Sequence, residues 1–510
     1  MTANVFSIGL KGLEGYRVQV EVQVFRGTES MVIVGLPDAS VKESKERVLS
    51  AIRTLECNVS TEKIVVNLSP SEQKKNGPLF DLAMAIAVLK EKKQIQNEIP
   101  QETAFIGTLS LDGSVVKVEG MLPAVIAAKS LGFKSVFLPY DPLIPIEMLE
   151  GIECFIVQHI NDVLLHLSGQ VSIPISTQSV SLEESTSPVE FERDFSDIIG
   201  QEKAKQALEV AAAGGHNMLI SGPPGCGKSM LAEAFPSIFP RLSKQAQLEK
   251  ISLYQLAKEK LKSSQLPPYR HPHHSASSVA IIGGGQNPKP GEISLAHHGI
   301  LFLDEMGEFT KKTLDMLRQP LETGKVTISR AHSTVTYPSS FLLIGAMNPC
   351  PCGYLGSNTH YCSCTAKQIR AYHNRVSGPI YDRIDILLSL HPVDLEQTQE
   401  ARESSVEIQK RVEQARERQY VRYQAEVTNA RVPFKQLMET SPLPSSQQKM
   451  LTQISSKQQW SNRVQIKMIR LARTLSDLVG EESISDESLW KAMALRRSHF
   501  SKEQMKVRRN

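Results

Sequence analysis

The spacing of apolar residues divides the chain into three regions. Residues 1–170 alternate helical stretches, at 81–90 and 122–131, with strand-like runs at 16–24, 31–34 and 63–67. Residues 191–395 contain short, fully apolar runs that end in glycine or a polar side chain, a pattern typical of buried strands in a parallel sheet. Residues 396–510 are predicted to be mainly helical, with a break at 441–446 and one apolar helix face formed by Val464, Met468, Leu471, Leu475 and Leu478.

The segment 171–190 is rich in Ser, Thr and Pro and poor in large apolar residues, which indicates a linker. We therefore predict an α/β domain over 1–170, this linker, an α/β module over 191–395, and a helical domain with a basic tail over 396–510. A long helix is predicted within 396–423. The tail from Arg496 onward is strongly basic, and both a solvated terminus and a DNA contact agree with that composition.

A phosphate-binding loop lies between a predicted strand at 217–221 and a predicted helix that begins near 230. Its glycines let the backbone direct N–H groups at phosphate oxygens, and the helix N-terminus adds a partial positive charge. Lys228 is placed to reach the terminal phosphates and Ser229 to bind Mg²⁺. A structural glycine turn is the alternative. The predicted nucleotide-binding residues are Gly222, Pro223, Pro224, Gly225, Cys226, Gly227, Lys228, Ser229 and Asp304.

Two further apolar runs end in side chains that suit ATP hydrolysis. The run 299–303 leads into Asp304, which is placed to bind Mg²⁺, and Glu305, which is placed to polarise the attacking water. Two solvated acids at a strand end are the alternative. The run 341–347 leads into Asn348, whose amide can hold the water or the γ-phosphate. Together with the phosphate-binding loop, these positions predict an ATPase.

Several basic positions follow these runs. Arg383 lies between a predicted helix and a predicted strand and has no evident role within one subunit, so we expect it to reach a neighbour's γ-phosphate. A surface ion pair with Asp382 or Asp385 is the alternative. A basic stripe at helical spacing either touches the nucleotide through one member or is solvated. It consists of Arg463, Lys467 and Arg470.

Four of the seven cysteines cluster immediately after Asn348, as Cys350, Cys352, Cys362 and Cys364. Four thiolates at short spacing can complete a tetrahedral zinc site, with His360 as a spare ligand, although the C-x-C gap is tighter than usual. A structural Zn²⁺ and reduced, redox-labile thiols both remain open. The isolated Cys57, Cys154 and Cys226 are expected to be packing residues.

Charge and hydropathy narrow the classes of protein. The formal net charge of +4 is too small to establish nucleic-acid binding by itself. No apolar run approaches the roughly 20 residues that span a bilayer, and the first residues lack the pattern of a secretory signal. The cysteine usage suits a reducing compartment. We therefore expect a cytoplasmic protein without membrane contact.

The stretch DFSDIIGQ (194–201) resembles the opening of an AAA+ module. Four further motifs make the chain similar to the magnesium-chelatase-like ComM/YifB family of AAA+ ATPases: RHPHHSASS (270–278), GGGQNPKPGEISLAH (283–297), LRQPLETG (317–324) and MNPCPCG (347–353). The resemblance implies ATP and Mg²⁺ as cofactors. It also implies Asn348 as the sensor-1 residue, Arg383 as the arginine finger and Arg463 as the sensor-2 arginine, with Arg470 on the same helix face.

The same resemblance implies an α/β fold in three parts: an N-terminal Lon-protease-like domain, an AAA+ P-loop module with a parallel sheet, and a C-terminal helical lid. Leu79 stands where the protease has its nucleophilic serine, and Leu122 stands where its partner lysine belongs. Leucine offers neither a nucleophile nor a proton to transfer. We therefore expect the N-terminal domain to serve binding or assembly and not proteolysis.

For function, the resemblance implies a hexameric ring that drives branch migration on branched or single-stranded DNA in natural transformation and recombination. An insert at 271–297 and a hairpin at 324–337 would face the pore of this ring. From them, Lys289, Arg330 and His332 are predicted to contact a DNA backbone. The alternatives are a chelatase motor subunit and a protein-remodelling ATPase that does not act on DNA.

Overall fold

The computed structural model describes residues 3–175, 191–285, 288–330, 333–357, 360–392 and 403–496. These residues divide into two compact units. The first unit comprises Met1–Pro188, Ser243–Lys262 and Ser329–Tyr337, and the second comprises Val189–Leu242, Ser263–Ile328 and Pro338–Asn510. Two segments from within 191–395 therefore belong to the first unit. Most of the predicted linker, the start of the predicted helix 396–423 and the basic tail beyond Arg496 lie outside the described residues.

The first 170 residues form nine strands and four α-helices within the described part. The strands are β1 (Ala3–Lys11), β2 (Glu14–Arg26), β3 (Ser30–Val34), β4 (Glu62–Ser69), β5 (Thr103–Phe105), β6 (Thr108–Leu109), β7 (Val115–Val116), β8 (Ser135–Leu138) and β9 (Glu153–Ile156). The helices are α1 (Ala39–Arg53), α2 (Asp81–Glu91), α3 (Met121–Ser130) and α4 (Ile160–Leu167), with a 3₁₀ turn at Ile146–Met148. The strands and helices predicted from the pattern are all present.

A mixed sheet of seven strands, in the order β3-β4-β2-β1-β5-β8-β9, organises the first unit. Alternate residues of β2 are buried, because successive side chains of a strand point to opposite faces. Helices α1 and α2 supply buried residues to one hydrophobic cluster of this unit. Helix α3 supplies a second cluster, together with Leu248 and Ile251 from the segment Ser243–Lys262.

Residues 191–392 form the next series of helices and strands. In chain order they are α5 (Glu202–Gly214), β10 (Met218–Ser221), α6 (Lys228–Ala234), α7 (Lys244–Ala257), β11 (Tyr269–Arg270), α8 (Ser278–Ile282), β12 (Gly283–Gly284), β13 (Lys289–Pro290), α9 (Glu292–Leu295), β14 (Ile300–Leu303), α10 (Lys311–Met316), α11 (Arg318–Thr323), β15 (Lys325–Arg330), β16 (Ser333–Pro338), β17 (Leu342–Met347), α12 (Ala366–His373), α13 (Gly378–Tyr381) and β18 (Ile386–Ser389). Three 3₁₀ turns lie at Phe195–Asp197, Phe235–Ile238 and Met306–Glu308. Of these elements, α7 and most of β16 belong to the first unit.

A parallel sheet of five strands, in the order β11-β14-β17-β10-β18, forms the centre of the second unit. Its central strands are fully buried, as their uninterrupted apolar sequences predict. The pairs β12–β13 and β15–β16 form separate two-stranded sheets, and the second pair is the predicted hairpin. Both the α/β fold class and the parallel sheet predicted from the sequence are confirmed.

The C-terminal region is helical, as predicted. Its helices are α14 (Ser405–Tyr423), α15 (Phe434–Thr440), α16 (Ser445–Gln458), α17 (Asn462–Val479) and α18 (Asp486–Arg496). Helix α17 begins after Ser461, whose hydroxyl accepts a hydrogen bond from the Val464 N–H, and ends at Gly480 in the left-handed conformation. Of its predicted apolar face, Met468, Leu471, Leu475 and Leu478 pack in the hydrophobic core of the second unit, whereas Val464 is half-buried outside that cluster. Among the described residues, none of the helices combines the length and apolar character needed to cross a bilayer.

Candidate nucleotide site and cysteine cluster

Three neighbouring strands bring the predicted site residues to one edge of the parallel sheet. The P-loop follows β10, Asp304 and Glu305 follow β14, and Asn348 follows β17. These strands pair side by side in parallel, so their carboxyl ends meet at the same edge. Ligands of open α/β sheets bind outside that edge.

The P-loop owes its shape to glycine at two points. Gly227, immediately before α6, has φ +90°, a left-handed conformation that residues with a Cβ rarely adopt. A Cβ at Gly222 would lie 2.6 Å from Sγ of Cys226 and 3.0 Å from the carbonyl oxygen of Leu390. Cys226 is buried within the loop, as expected for a packing residue, and burial raises the pKa of its thiol.

Lys228 is held by oxygen atoms of the loop and by Asn348. Its Nζ donates to the carbonyls of Gly222 at 2.7 Å and Pro223 at 2.9 Å, and to Oδ1 of Asn348 at 3.1 Å. Burial lowers the pKa of this amine. The structure thus brings the predicted phosphate-binding lysine and the predicted sensor amide into direct contact.

Ser229 and Asp304 form the pair predicted to bind Mg²⁺. The Ser229 hydroxyl donates to Oδ2 of Asp304 at 3.1 Å, and Oδ1 of Asp304 accepts from the Glu305 N–H at 2.8 Å. A hydroxyl and a carboxylate are oxygen ligands of the kind that Mg²⁺ prefers. The two residues present therefore fit that ion.

Glu305 has a partner that the sequence analysis missed. Its Oε2 lies 3.2 Å from Nδ1 of His274, and its backbone is in the left-handed region with φ +46°. His274 belongs to the 270–278 motif, so that motif was a signal for the site, although nothing in the spacing pointed to Glu305. The contact holds the carboxylate that we expect to polarise water.

The opening stretch of the module also reaches the P-loop. Gln201 is in the left-handed conformation, and its side-chain amide donates to the carbonyls of Cys226 at 3.2 Å and His391 at 2.8 Å. These two bonds connect the 194–201 motif to the loop.

Arg383 lies in the turn between α13 and β18. Its Nη1 donates to the Pro379 carbonyl at 2.8 Å, and its Nη2 forms an ion pair with Glu322. The alternative of a surface pair with Asp382 or Asp385 is wrong, because the carboxylate that Arg383 reaches is Glu322 on α11. No polar contact joins Arg383 to the P-loop among the described residues.

The predicted basic stripe on α17 is not a solvated stripe. Lys467 is buried, where its Nζ donates to the Ile384 carbonyl at 2.9 Å and lies 2.8 Å from Oδ1 of Asp385. Arg470 donates to two backbone carbonyls, at 2.9 and 2.7 Å. Only Arg463 is exposed, and its Nη2 lies 3.3 Å from Oε1 of Glu322. Between Arg463 and Arg470, this geometry leaves Arg463 as the candidate sensor-2 arginine.

Asp385 is a buried carboxylate that is fully engaged. Besides Lys467, it accepts from the Asn217 N–H at 3.1 Å and lies 3.7 Å from Nδ1 of His216. Burial alone would raise its pKa, but the attraction of Lys467 and of the nearby His216 ring outweighs burial. The pKa of Asp385 therefore lies well below its ordinary value.

The four clustered cysteines lie close enough together to hold one metal ion, with all four sulfurs within 4.8 Å of one another. The Sγ–Sγ distances are 3.3 Å for Cys350–Cys352, 3.7 Å for Cys350–Cys362 and 3.6 Å for Cys352–Cys362, and Cys364 completes the group. A tetrahedral zinc with Zn–S bonds of about 2.3 Å separates its sulfurs by about 3.8 Å. The ring of His360, the spare ligand, stacks instead on Tyr354.

The cysteine loop lies against the nucleotide site. A Cβ at Gly353, which has φ +85°, would lie 2.8 Å from Cδ of Pro224 in the P-loop. Burial raises the pKa of Cys350 to about 12, whereas the Tyr354 N–H lowers the pKa of Cys352 to about 6. The remaining cysteines outside the P-loop, Cys57 and Cys154, are buried singly, as expected for packing residues.

The two positions predicted to correspond to the protease dyad, Leu79 and Leu122, lie inside the first unit. Leu79 and Leu122 are buried in the same hydrophobic cluster as Leu248 and Ile251 of α7. The Leu122 N–H donates to Oε1 of Gln255, also on α7, at 3.2 Å. Both positions predicted to correspond to the dyad are thus filled by apolar packing.

The residues predicted to contact DNA are only partly described. Lys289 is exposed on β13. His332 and the side chain of Arg330 lie outside the described residues. On β16, Val335 and Tyr337 are buried and belong to the first unit.

Comparisons with known proteins agree with this arrangement. Residues 194–398 match the family Magnesium chelatase, subunit ChlI, residues 20–142 match Subunit ChlI of Mg-chelatase, and residues 402–496 match Magnesium chelatase, subunit ChlI C-terminal. The chain is 37% identical to protein YifB of Escherichia coli (strain K12) over 492 residues, 95% of each chain. It is 36% identical to competence protein ComM of Haemophilus influenzae over 499 residues, 97% of each chain. A shorter similarity, 26% identity over 198 residues, relates it to Lon protease 2 of Bacillus subtilis.

The parallel sheet, its P-loop and these matches define an AAA+ ATPase of the magnesium-chelatase type, a class that uses ATP and Mg²⁺. Within that class, end-to-end identity to YifB and ComM decides the family. The chain belongs to the magnesium-chelatase-like ComM/YifB family.

Proposed function

We propose that the chain is the subunit of a ring, a hexamer, that uses ATP to move DNA as a branch-migration helicase. Its substrates would be branched or single-stranded DNA during natural transformation and recombination. The proposal of a ring is supported by the contacts of Arg383. This arginine pairs with Glu322 and makes no polar contact with its own P-loop among the described residues. The proposal that DNA is the substrate rests on the similarity to the competence protein ComM of Haemophilus influenzae, which is 36% identical over 97% of both chains.

In this proposal each residue at the sheet edge has one task. Lys228 binds the terminal phosphates, Asn348 orients the attacking water, and Glu305 accepts a proton from it. Arg383 of the next subunit offsets the charge that develops on the transferred phosphoryl group. Mg²⁺, held by Ser229 and Asp304, would neutralise charge on the phosphates.

We propose further that Cys350, Cys352, Cys362 and Cys364 bind a structural Zn²⁺, which their sulfur spacing supports. Reduced thiols without metal are the alternative. The N-terminal Lon-like domain would serve binding or assembly, because leucine occupies both dyad positions. We also propose that the protein works in the cytoplasm, where four clustered cysteines stay reduced.

A second candidate function follows from the descriptions of the matched families, which name a chelatase subunit. In that case the ATPase would remodel a protein partner and would not act on DNA. The two candidates differ in whether DNA changes the rate of ATP hydrolysis.

An ATPase titration with single-stranded, duplex and four-way-junction DNA tests the proposal. We expect the four-way junction to accelerate hydrolysis and the protein to unwind forked DNA with ATP. If none of the three DNAs changes hydrolysis and forked DNA stays paired, the DNA motor is refuted and the second candidate stands.

A further inference from the structure

Glu322, near the end of α11, is the point where two arginines from distant parts of the chain meet. Arg383, in the turn before β18, bonds Oε2 of this carboxylate. Arg463, at the start of α17, lies 3.3 Å from Oε1. Each guanidinium thus contacts a different oxygen of the same carboxylate.

We propose that Glu322 is a positioning residue: it holds Arg383 and Arg463 side by side in the orientation in which they meet the nucleotide of the neighbouring subunit. This inference rests on the proposed function, in which Arg383 acts on the neighbour. It adds a residue to which neither the sequence motifs nor the family matches assign a role.

The charges of this cluster suit an incoming phosphate. Two guanidiniums share one carboxylate, so the three side chains together carry a net positive charge. Glu322 reduces the repulsion between the arginines without cancelling their field. Nε of Arg383 is buried and has no hydrogen-bond partner among the described residues, whereas its two terminal nitrogens are engaged.

The exposure of the two arginines differs as the proposal requires. The side chain of Arg383 is 14% exposed, and that of Arg463 is 56% exposed. Arg383 is held by the Pro379 carbonyl as well as by Glu322, whereas the ion pair with Glu322 is the one polar contact of the Arg463 guanidinium among the described residues. Losing the carboxylate should release Arg463 and leave Arg383 held by the Pro379 carbonyl alone.

Helix α11 is itself anchored beside Arg383. One turn before Glu322, Arg318 donates to the Ser377 hydroxyl at 3.0 Å and pairs with Asp315 at 2.7 Å. The Ser377 hydroxyl in turn donates to Asp315 at 2.8 Å. Since Ser377 directly precedes α13, which leads into Arg383, the helix that carries Glu322 and the turn that carries Arg383 are fixed to each other.

The first test is Glu322→Gln, which keeps the size of the side chain and removes its charge. We expect kcat for ATP to fall about tenfold with KM within about twofold, because the P-loop of the same chain is unchanged. Glu322→Asp should recover part of the loss. Glu439→Gln, which removes the acid of the exposed Lys435–Glu439 pair, is the matched control and should change neither constant.

The second test uses rings of mixed subunits and separates this inference from the proposed function. Lys228→Ala subunits keep correctly held arginines but lack a working P-loop. Glu322→Gln subunits keep a working P-loop, but their arginines are no longer held in position. We expect the mixture to hydrolyse ATP at a higher rate than the sum of the rates of the two proteins measured separately. A reference mixture of Lys228→Ala with Arg383→Ala should show the same gain.

A failure of either mixture to recover ATP hydrolysis would contradict the role of Glu322 or that of Arg383. If the reference mixture recovers activity and the Glu322→Gln mixture does not, Glu322 acts within its own chain and the inference is wrong. If neither mixture recovers, the action of Arg383 on a neighbour is wrong, and the inference falls with it. Both Glu322 variants should unfold at the same temperature as the parent protein. An unchanged Tm would show that the lower rate of hydrolysis does not come from a loss of folded protein.

Discussion

Replacing Lys467 with methionine should destabilise the second unit by about 3–5 kcal/mol at pH 7. Lys467 and Asp385 form a buried ion pair with an N–O distance of 2.8 Å and side-chain exposures of 10% and 11%. Methionine fills a similar volume but removes the cation that directly contacts the Asp385 carboxylate. Arg431, Arg470 and Arg496 attract that carboxylate without an ion pair among the described residues. The remaining contacts, with the Asn217 N–H and His216, cannot offset a full buried charge.

Thermal unfolding followed by circular dichroism measures this cost. For units of 150–250 residues, 1 kcal/mol shifts Tm by about 2–4 °C, and the lower value suits the larger second unit. We therefore expect Tm to fall by about 6–10 °C. Lys491→Met, which breaks the exposed pair with Glu487 on α18, is the matched control and should leave Tm unchanged. A Lys467→Met protein that melts within about 2 °C of the parent would refute the reasoning.

The pH dependence gives a second criterion with a definite sign. In the parent, the pKa of Asp385 is depressed, so the pair contributes its stability above the unfolded pKa of about 3.9 and loses it as pH falls toward the folded pKa. In the variant, burial without Lys467 raises that pKa. Acidification from pH 7 to pH 5 should then protonate the variant's carboxylate and narrow the gap in Tm. A constant gap would contradict the assignment of the loss to a buried charge.

Three further predictions concern the site. Glu305→Gln should still bind ATP but lose at least about 10²-fold in turnover, and full turnover would contradict its role as the base. His274→Ala should lower kcat about tenfold, because it removes the 3.2 Å contact that holds Glu305, and should add no further loss to Glu305→Gln. Cys362→Ser should abolish stoichiometric zinc in elemental analysis, whereas Cys154→Ala should retain it; a metal-free parent would favour reduced thiols.

Much of the fold could be predicted because its signals are local. The buried strands β10, β14 and β17 appear as uninterrupted apolar runs, and the residue that follows each run is polar or glycine. Parallel pairing then brings those residues to one edge without further information. This is why the sequence alone predicts that Lys228, Asp304 and Asn348 lie together.

The partners of the basic residues could not be predicted, because each partner lies far away in the chain. Lys467 and Arg470 have the spacing of an exposed stripe, yet they satisfy carboxylate and carbonyl oxygens contributed by other elements. Arg383 pairs with Glu322 and with neither of its sequence neighbours Asp382 and Asp385. Asp385 already forms an ion pair with Lys467. A helical pattern shows which side chains share a face, but it does not show what covers that face.

Helix α7 has a consequence for any attempt to produce the N-terminal region alone. Although α7 follows the P-loop helix in the chain, its Leu248 and Ile251 complete a hydrophobic cluster of the first unit. A recombinant fragment that stops at residue 175 would leave the apolar face of α3 uncovered, and we expect it to aggregate. Useful truncations will need to retain Ser243–Lys262, so the first unit is not a detachable N-terminal module.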